Sequence, residues 1–404
     1  MRHVKRIVGF ALLPGLSMLA SLVLLPLVSA RFGAAGWIAL ALGQSIGAIV
    51  SIVVGMAWPI VGGNAVARAD GEETQQGIFR ASVYSRGLAL VVLLLIAIPL
   101  TLMLAHSYPV ATTLFMVAIA LNGLSAAWFF EGKGQPRSLV INEGLTRFVG
   151  YGIAVATLLA GARLSSYGAV MVVTGLATFA LNWFTIMRRS PLRVAGGWGL
   201  TLRIIREHAT GTVARLLQAA FTFGGPSIFA LLAPAHLPLF SGLDQIQKAG
   251  TNASSFLPSS FVHWVGSAAP AQRRRNMLRS LGFSATVSAL SVPVWMFIGP
   301  TILKLLFADK LQLSAWGHLL LILAIVSVLF RTSCELLVLV PLGYAQLVYA
   351  GSSIASVIGI VLVALGAVYF GALGGVGAWI AVHTSLVCAY GVVVVLHRRR
   401  TARS

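Results

Sequence analysis

Residues 84–105 read YSRGLALVVLLLIAIPLTLMLA, and from Gly87 to Ala105 not one side chain is charged. A helix needs about 20 such residues to cross the hydrocarbon of a bilayer. Pro99 inside the run is tolerated in a membrane helix, where neighbouring groups take up the freed backbone carbonyl. The same kind of stretch recurs along the 404 residues, of which 58% are apolar and 9% charged. Mean hydropathy is +0.91. A soluble domain carries about 25% charged residues, so the composition excludes an ordinary cytosolic domain, a disordered chain and a nucleic-acid binder. Cys334 and Cys388 both lie in apolar runs and give no disulfide framework.

At about 33 residues per helix and connection, the length predicts twelve spans. They fall near 8–29, 36–60, 84–105, 108–130, 139–161, 166–187, 210–232, 238–262, 279–302, 316–340, 346–369 and 373–396. The start MRHVKR with Val28-Ser29-Ala30 resembles a cleavable signal, but its apolar run exceeds a signal core, so an uncleaved first helix is expected.

Drawn this way, 20 of the 29 Lys and Arg residues fall on one side, in groups such as Arg188, Arg189 and Arg193, Arg273–Arg275 and Arg398–Arg400. The other side receives only Arg31, Arg163, Lys304 and Lys310. The positive-inside rule puts both termini in the cytoplasm. The net charge of +20 is then largely topology. Trp37, Trp58, Trp128, Trp183, Trp264 and Trp316 fall near span ends, as an aromatic belt would.

The arginine-rich segment 188–207 is the natural boundary between a six-helix lobe at 1–187 and a second at 208–404. A weak repeat agrees: Pro59 closes span two and Arg80 follows, while Pro258 closes span eight and Arg279 follows, both at an offset of 199 residues. Outer loops are too short to hold a catalytic domain.

Eight charges lie inside the spans: Arg86, Glu143, Arg147, Arg215, Asp244, Lys248, Arg331 and Glu335. Each costs roughly 2.5–3.5 kcal/mol at a helix centre facing lipid, so most must face protein or water. Glu143–Arg147, Asp244–Lys248 and Arg331–Glu335 are spaced i,i+4, on one helix face. Two readings fit. Each pair neutralises itself for insertion, or the three faces line one water-filled cavity whose midzone bases attract an anion. Arg215 has no acid at i±4 and suits an anion contact or snorkelling. Arg86, two residues into its span, reads as snorkelling to the interface.

Span eight and its flanks, SGLDQIQKAGTNASSFLPSS at 241–260, are too polar to face lipid. There Gln245, Gln247, Thr251 and Asn252 are candidates for sugar hydroxyls or for holding helices together; Asn122, Ser125, Asn182 and Gln218 are weaker cases. Gly43–Gly47 and Gly371–Gly375 read as small-xxx-small packing motifs. No metal-ligand spacing, nucleotide loop or acyl-transfer motif is found, so neither an enzyme nor a resident metal or cofactor is expected.

The layout resembles the bacterial O-antigen (Wzx-type) polysaccharide flippases of the MATE-like exporter superfamily. The similarity rests on the basic N-terminus, the loop Arg31-Phe32-Gly33-Ala34-Ala35-Gly36-Trp37, the loop Glu131-Gly132-Lys133-Gly134-Gln135-Pro136-Arg137, Arg147 in the span beyond it, and Phe256-Leu257-Pro258. It implies an all-α, two-lobe, MATE-like membrane fold around a central cationic cavity. It also implies transfer of an undecaprenyl-pyrophosphate-linked oligosaccharide to the periplasmic leaflet, with membrane lipids and other polysaccharide-assembly proteins as partners. By this likeness Arg147, Arg215, Lys248 and Arg331 would meet the pyrophosphate or acidic sugar. Glu143, Asp244 and Glu335 are candidates for H+ or Na+ coupling. A basic cavity does not suit cationic drugs; an ion-coupled small-molecule exporter is the alternative, and a polysaccharide-assembly enzyme the more distant one.

Overall fold

The computed structural model describes residues 2–56, 58–188, 213, 215–254, 256–266 and 270–401, and within them every regular element is helical. The chain forms two compact units, Met1–Ser227 and Ile228–Ser404. The first therefore runs beyond 187; apart from Arg188, the expected linker at 188–207 lies outside the described residues.

In the first unit, helix α1 (Arg2–Gly55) contains two expected spans and turns at Gly33, with φ 65° and ψ −155°. Helix α2 (Trp58–Arg68) precedes the long α3 (Glu72–Leu104). The fourth span is interrupted: α4 (Pro109–Ala120) tightens into a 3-10 turn at Leu121–Leu124, Ser125 is extended (ψ 140°), and α5 (Ala127–Gly132) resumes. The fifth is α6 (Pro136–Leu139), a π turn at Val140–Leu145 and α7 (Thr146–Leu159). Helix α8 (Leu164–Met187) is continuous, and α9 (Arg215–Phe223) meets α10 (Gly225–Leu232) at 60°.

The second unit continues with α11 (Leu237–Ser254), α12 (Phe256–Gly266) and α13 (Pro270–Phe307). Helix α14 (Ala315–Cys334) passes into a π turn at Glu335–Leu339, and α15 (Ala345–Thr401) again contains two spans. It turns at Gly371, with φ 63° and ψ −150°. Phe32-Gly33-Ala34 and Phe370-Gly371-Ala372 thus make the same one-residue corner. A side chain is strained in that backbone region.

Among the described residues seven helices are long and apolar enough to cross a membrane, or eight if the bent pair is one span. The spans expected at 139–161 and 238–262 are not in that set. They carry Glu143–Arg147 and Asp244–Lys248, and are interrupted by a π turn or too polar to pass.

Three expectations are corrected at the level of the fold. Pro59 and Pro258 do not close spans; each lies in the first turn of an eleven-residue helix, α2 and α12, where proline's missing N–H costs nothing. The offset of 199 residues therefore relates two equivalent helix starts. Gly371 is not explained by a packing motif alone: it makes the corner as well as a close contact, a Cβ there lying 2.9 Å from the His236 ring, while Gly375 packs 2.7 Å from the Phe240 ring. Gly43 and Gly47 pack α1 on α4, at 2.7 Å from Phe115 and 2.5 Å from the Met116 carbonyl. Trp37, Trp58 and Trp128 belong to the core, not to an interfacial belt: Trp58 and Trp128 are buried and stack at 5.4 Å, with Phe79 and Phe129 around them. Only Trp264 and Trp316 of the six are exposed.

Lipid has its own face. Leu95, Met103, Phe297 and Phe370 are among the most exposed side chains, as expected where the solvent is hydrocarbon. Loops assigned to one side also meet: Arg31 donates to the Leu158 carbonyl, and Lys133 pairs with Glu72 at 3.6 Å.

Candidate functional site

All three i,i+4 pairs form. Glu143 leaves the π turn of the fifth span and accepts Arg147 Nη2 at 3.4 Å. Asp244 accepts Lys248 Nζ at 2.6 Å on α11. Arg331 Nε lies 3.2 Å from Glu335 Oε1, an ion pair rather than an aligned hydrogen bond. A π turn adds one residue to a helical turn and re-aims the side chains beyond it; it does so at both glutamates.

In each pair the acid is the more buried partner. Side-chain exposure is 8% for Glu143 against 29% for Arg147, 0% for Asp244 against 14% for Lys248, and 11% for Glu335 against 21% for Arg331. The glutamates are also more heavily bonded than a neutralising device requires. Glu143 accepts from Ser125 Oγ at 2.7 Å, the Ala126 N–H at 2.8 Å and Asn182 Nδ2 at 3.1 Å. Glu335 accepts from Tyr390 OH at 2.8 Å and Ser352 Oγ at 3.3 Å. Carboxylates so satisfied have little capacity left for a ligand, while the bases retain accessible N–H groups. The arrangement anchors a cation from behind.

Within the first unit a cavity of about 60 Å³ has a mixed lining, with Gln44, Asn122, Arg147 and Asn182 beside apolar groups such as Leu40 and Phe115. It has room for a few water molecules, far short of a sugar. In the second unit His383 Nδ1 lies 3.3 Å from Arg331 Nη1.

Arg215 donates to the Met56 carbonyl at 3.1 Å, binding backbone where α1 ends at a positive-φ residue. Gln247 Nε2 donates to Thr251 Oγ1 at 3.2 Å, so two of the candidate sugar contacts hold each other. Gln245 is partly buried and Asn252 exposed on the same helix.

Arg86 does not snorkel, which corrects a fourth expectation. It has no exposed surface. Nε and Nη2 donate to the Ser82 carbonyl and hydroxyl at 3.1 and 2.9 Å, and Nη1 to the carbonyls of Gly123 and Ser125 at 3.2 and 2.7 Å. The guanidinium also lies 5.6 Å from the Trp128 ring centroid. The interrupted fourth span frees backbone carbonyls in an apolar interior, and a buried donor fork satisfies them better than water at a distant interface. Nothing in the sequence marks that interruption apart from Asn122-Gly123 within an apolar run. Tyr390, Ser352 and His383 were likewise invisible as partners of Glu335 and Arg331, since they lie on other spans.

No family model matches the chain, and no curated protein matches it in sequence. Among solved structures it is similar to a multidrug-resistance MATE-family transporter of the MOP superfamily in an inward-facing conformation. That match covers 98% of each chain at 14% identity, with a TM-score of 0.68. It is also similar to a MOP-superfamily transporter from Pyrococcus furiosus described as having a binding pocket of reverse polarity, over 98% of this chain and 96% of that one (14% identity, TM-score 0.60). The protein is a multi-pass membrane protein with the all-α, two-lobe MATE fold.

Proposed function

We propose that the protein is a transporter that moves an undecaprenyl-pyrophosphate-linked oligosaccharide, an O-antigen or exopolysaccharide repeat unit, from the cytoplasmic to the periplasmic leaflet by alternating access. The observation that carries this reading is the polarity of the three pairs: the acid is the more buried partner and the base the more accessible one. A pyrophosphate cannot enter hydrocarbon bare, and partly exposed intramembrane cations lower that barrier while the prenyl tail stays in lipid. A cationic drug would require the opposite arrangement. The MATE fold supports transport by analogy with its relatives, and the reverse-polarity pocket described for one of them indicates that the fold is not tied to one sign of charge.

In this reading Arg147, Lys248 and Arg331 meet the pyrophosphate or acidic sugar, with Arg215 contributing near the Met56 carbonyl. Gln245, Gln247, Thr251 and Asn252 meet sugar hydroxyls. Protonation of Glu143, Asp244 or Glu335, or Na+ bound at its carboxylate, would release its base and strengthen the attraction for anions, which provides a route for H+ or Na+ coupling. The location is the bacterial inner membrane with both termini cytoplasmic.

The test is reconstitution into liposomes with a fluorescent undecaprenyl-pyrophosphate oligosaccharide, scored by protection of the label from an impermeant quencher. Wild-type protein should exchange the label between leaflets and leave cationic dyes untouched. Dye export without lipid-linked sugar movement would overturn the reading in favour of an ion-coupled small-molecule exporter.

A further inference from the structure

Arg86 is a fully buried guanidinium that, among the described residues, forms no ion pair. Glu143 attracts it electrostatically, but with no direct ion pair, charge balance alone does not account for where its N–H groups go. Its hydrogen bonds go to two places: Ser82 on its own helix, and the carbonyls of Gly123 and Ser125 at the break of the fourth span. In a continuous helix the Gly123 carbonyl would accept the Ala127 N–H. Here Ser125 is extended and that N–H turns to Ser125 Oγ instead, at 3.2 Å. One planar fork replaces the lost donors, a task a lysine cannot perform with the same geometry.

The break so held is the platform for Glu143. Ser125 Oγ and the Ala126 N–H, both beside the Arg86-bound carbonyls, donate to its carboxylate. Glu143 in turn holds Arg147, which lines the small cavity of the first unit. The far side of the break is fixed too: a Cβ on Gly123 would sit 2.7 Å from the Ser51 carbonyl. Arg86 thus connects, through backbone and one hydroxyl, to a base at the cavity with which it shares no hydrogen bond.

We propose that Arg86 is a positioning residue for transport, fixing the break at 121–126 so that Ser125 and Ala126 hold Glu143 where it presents Arg147 to the ligand. The functional part of this inference rests on the transport reading; the positioning part does not.

The experiment has two arms in the full-length reconstituted protein. In the first, the infrared carboxylate band of Glu143, assigned from the wild-type minus Glu143→Gln difference spectrum, is compared in Arg86→Gln and Arg86→Lys. Arg86→Gln also removes a charge that attracts Glu143, so Arg86→Lys decides: its band should shift, because displaced Ser125 and Ala126 donors change the hydrogen bonding, and an unmoved band would overturn the positioning role. In the second arm, transport of the fluorescent prenyl-pyrophosphate oligosaccharide is measured for Arg86→Gln, Ser125→Ala and the double variant. Each single change should lower the rate about ten- to a hundredfold, with Arg86→Lys in between. The double should be no slower than the slower single, since both act through one contact. Multiplying losses would overturn the proposal. If Arg86→Gln fails to insert, Arg86→Lys carries both arms, as it keeps the charge and loses the fork. If the wild-type protein moves no lipid-linked sugar, the transport reading fails and the infrared arm still decides whether Arg86 positions Glu143.

Discussion

Arg86 and Glu143 both bind Ser125: its carbonyl accepts Arg86 Nη1 at 2.7 Å, and its hydroxyl donates to the Glu143 carboxylate at 2.7 Å. A base and an acid on different helices are thereby coupled through one residue at a helix break, without an ion pair between them. Burying either charge alone would be costly; here each is satisfied by the polar groups that the break exposes. The break and the two charges account for each other, and the local consequences can be measured.

Removing a midzone base should impair transport. Arg147→Gln, Lys248→Gln and Arg331→Gln each lose a charge-assisted contact of about 1.5–3 kcal/mol, so transport should fall roughly ten- to a hundredfold. Detergent-solubilised Arg147→Gln and Arg331→Gln should keep their size-exclusion profile, because Glu143 and Glu335 retain other donors, whereas Lys248→Gln should also lower the thermal midpoint, since it leaves the fully buried Asp244 without its cation.

Glu143→Gln should instead act on stability. It puts an amide against donors from Ser125 and Ala126, at a cost of about 1–3 kcal/mol for a buried mismatch, read as a lowered thermal midpoint. Exchanging Glu143 and Arg147 separates the two readings of the pair. Full surface polysaccharide in the swapped strain would mean the pair only neutralises itself; the asymmetric bonding of Glu143 leads us to expect loss.

Gly33→Ala and Gly371→Ala should each destabilise by about 1–3 kcal/mol, the cost of a side chain at these backbone angles. At Gly371 the added Cβ would also lie 2.9 Å from the His236 ring. Gly282→Ala is the control, with open space at its Cβ position. Thermal unfolding of the three purified variants checks the order.

Reporter fusions after Arg193 and after Arg400 should both report cytoplasm. The expectation comes from the excess of basic residues on one side, and a periplasmic signal from either would refute the topology.

Sequence alone establishes that this is a polytopic helical membrane protein. Long uncharged runs such as 87–105 leave a chain no other stable arrangement in lipid, where every backbone polar group must be bonded within helices. It also identifies the three charge pairs, because i,i+4 neighbours on one helix meet through local geometry. Relations between spans are a different matter. Arg86 reads as a snorkelling residue because two residues of depth look interfacial when helix breaks are unknown; only packing against Gly123 and Ser125 shows that it is sealed in. Trp58 and Trp128 read as a belt for the same reason. The corners at Gly33 and Gly371 and the π turns at Glu143 and Glu335 are set by contacts with other helices, which periodicity does not encode. Which member of each glutamate pair is buried likewise depends on packing between spans, since the donors that hold Glu143 and Glu335 come from other helices.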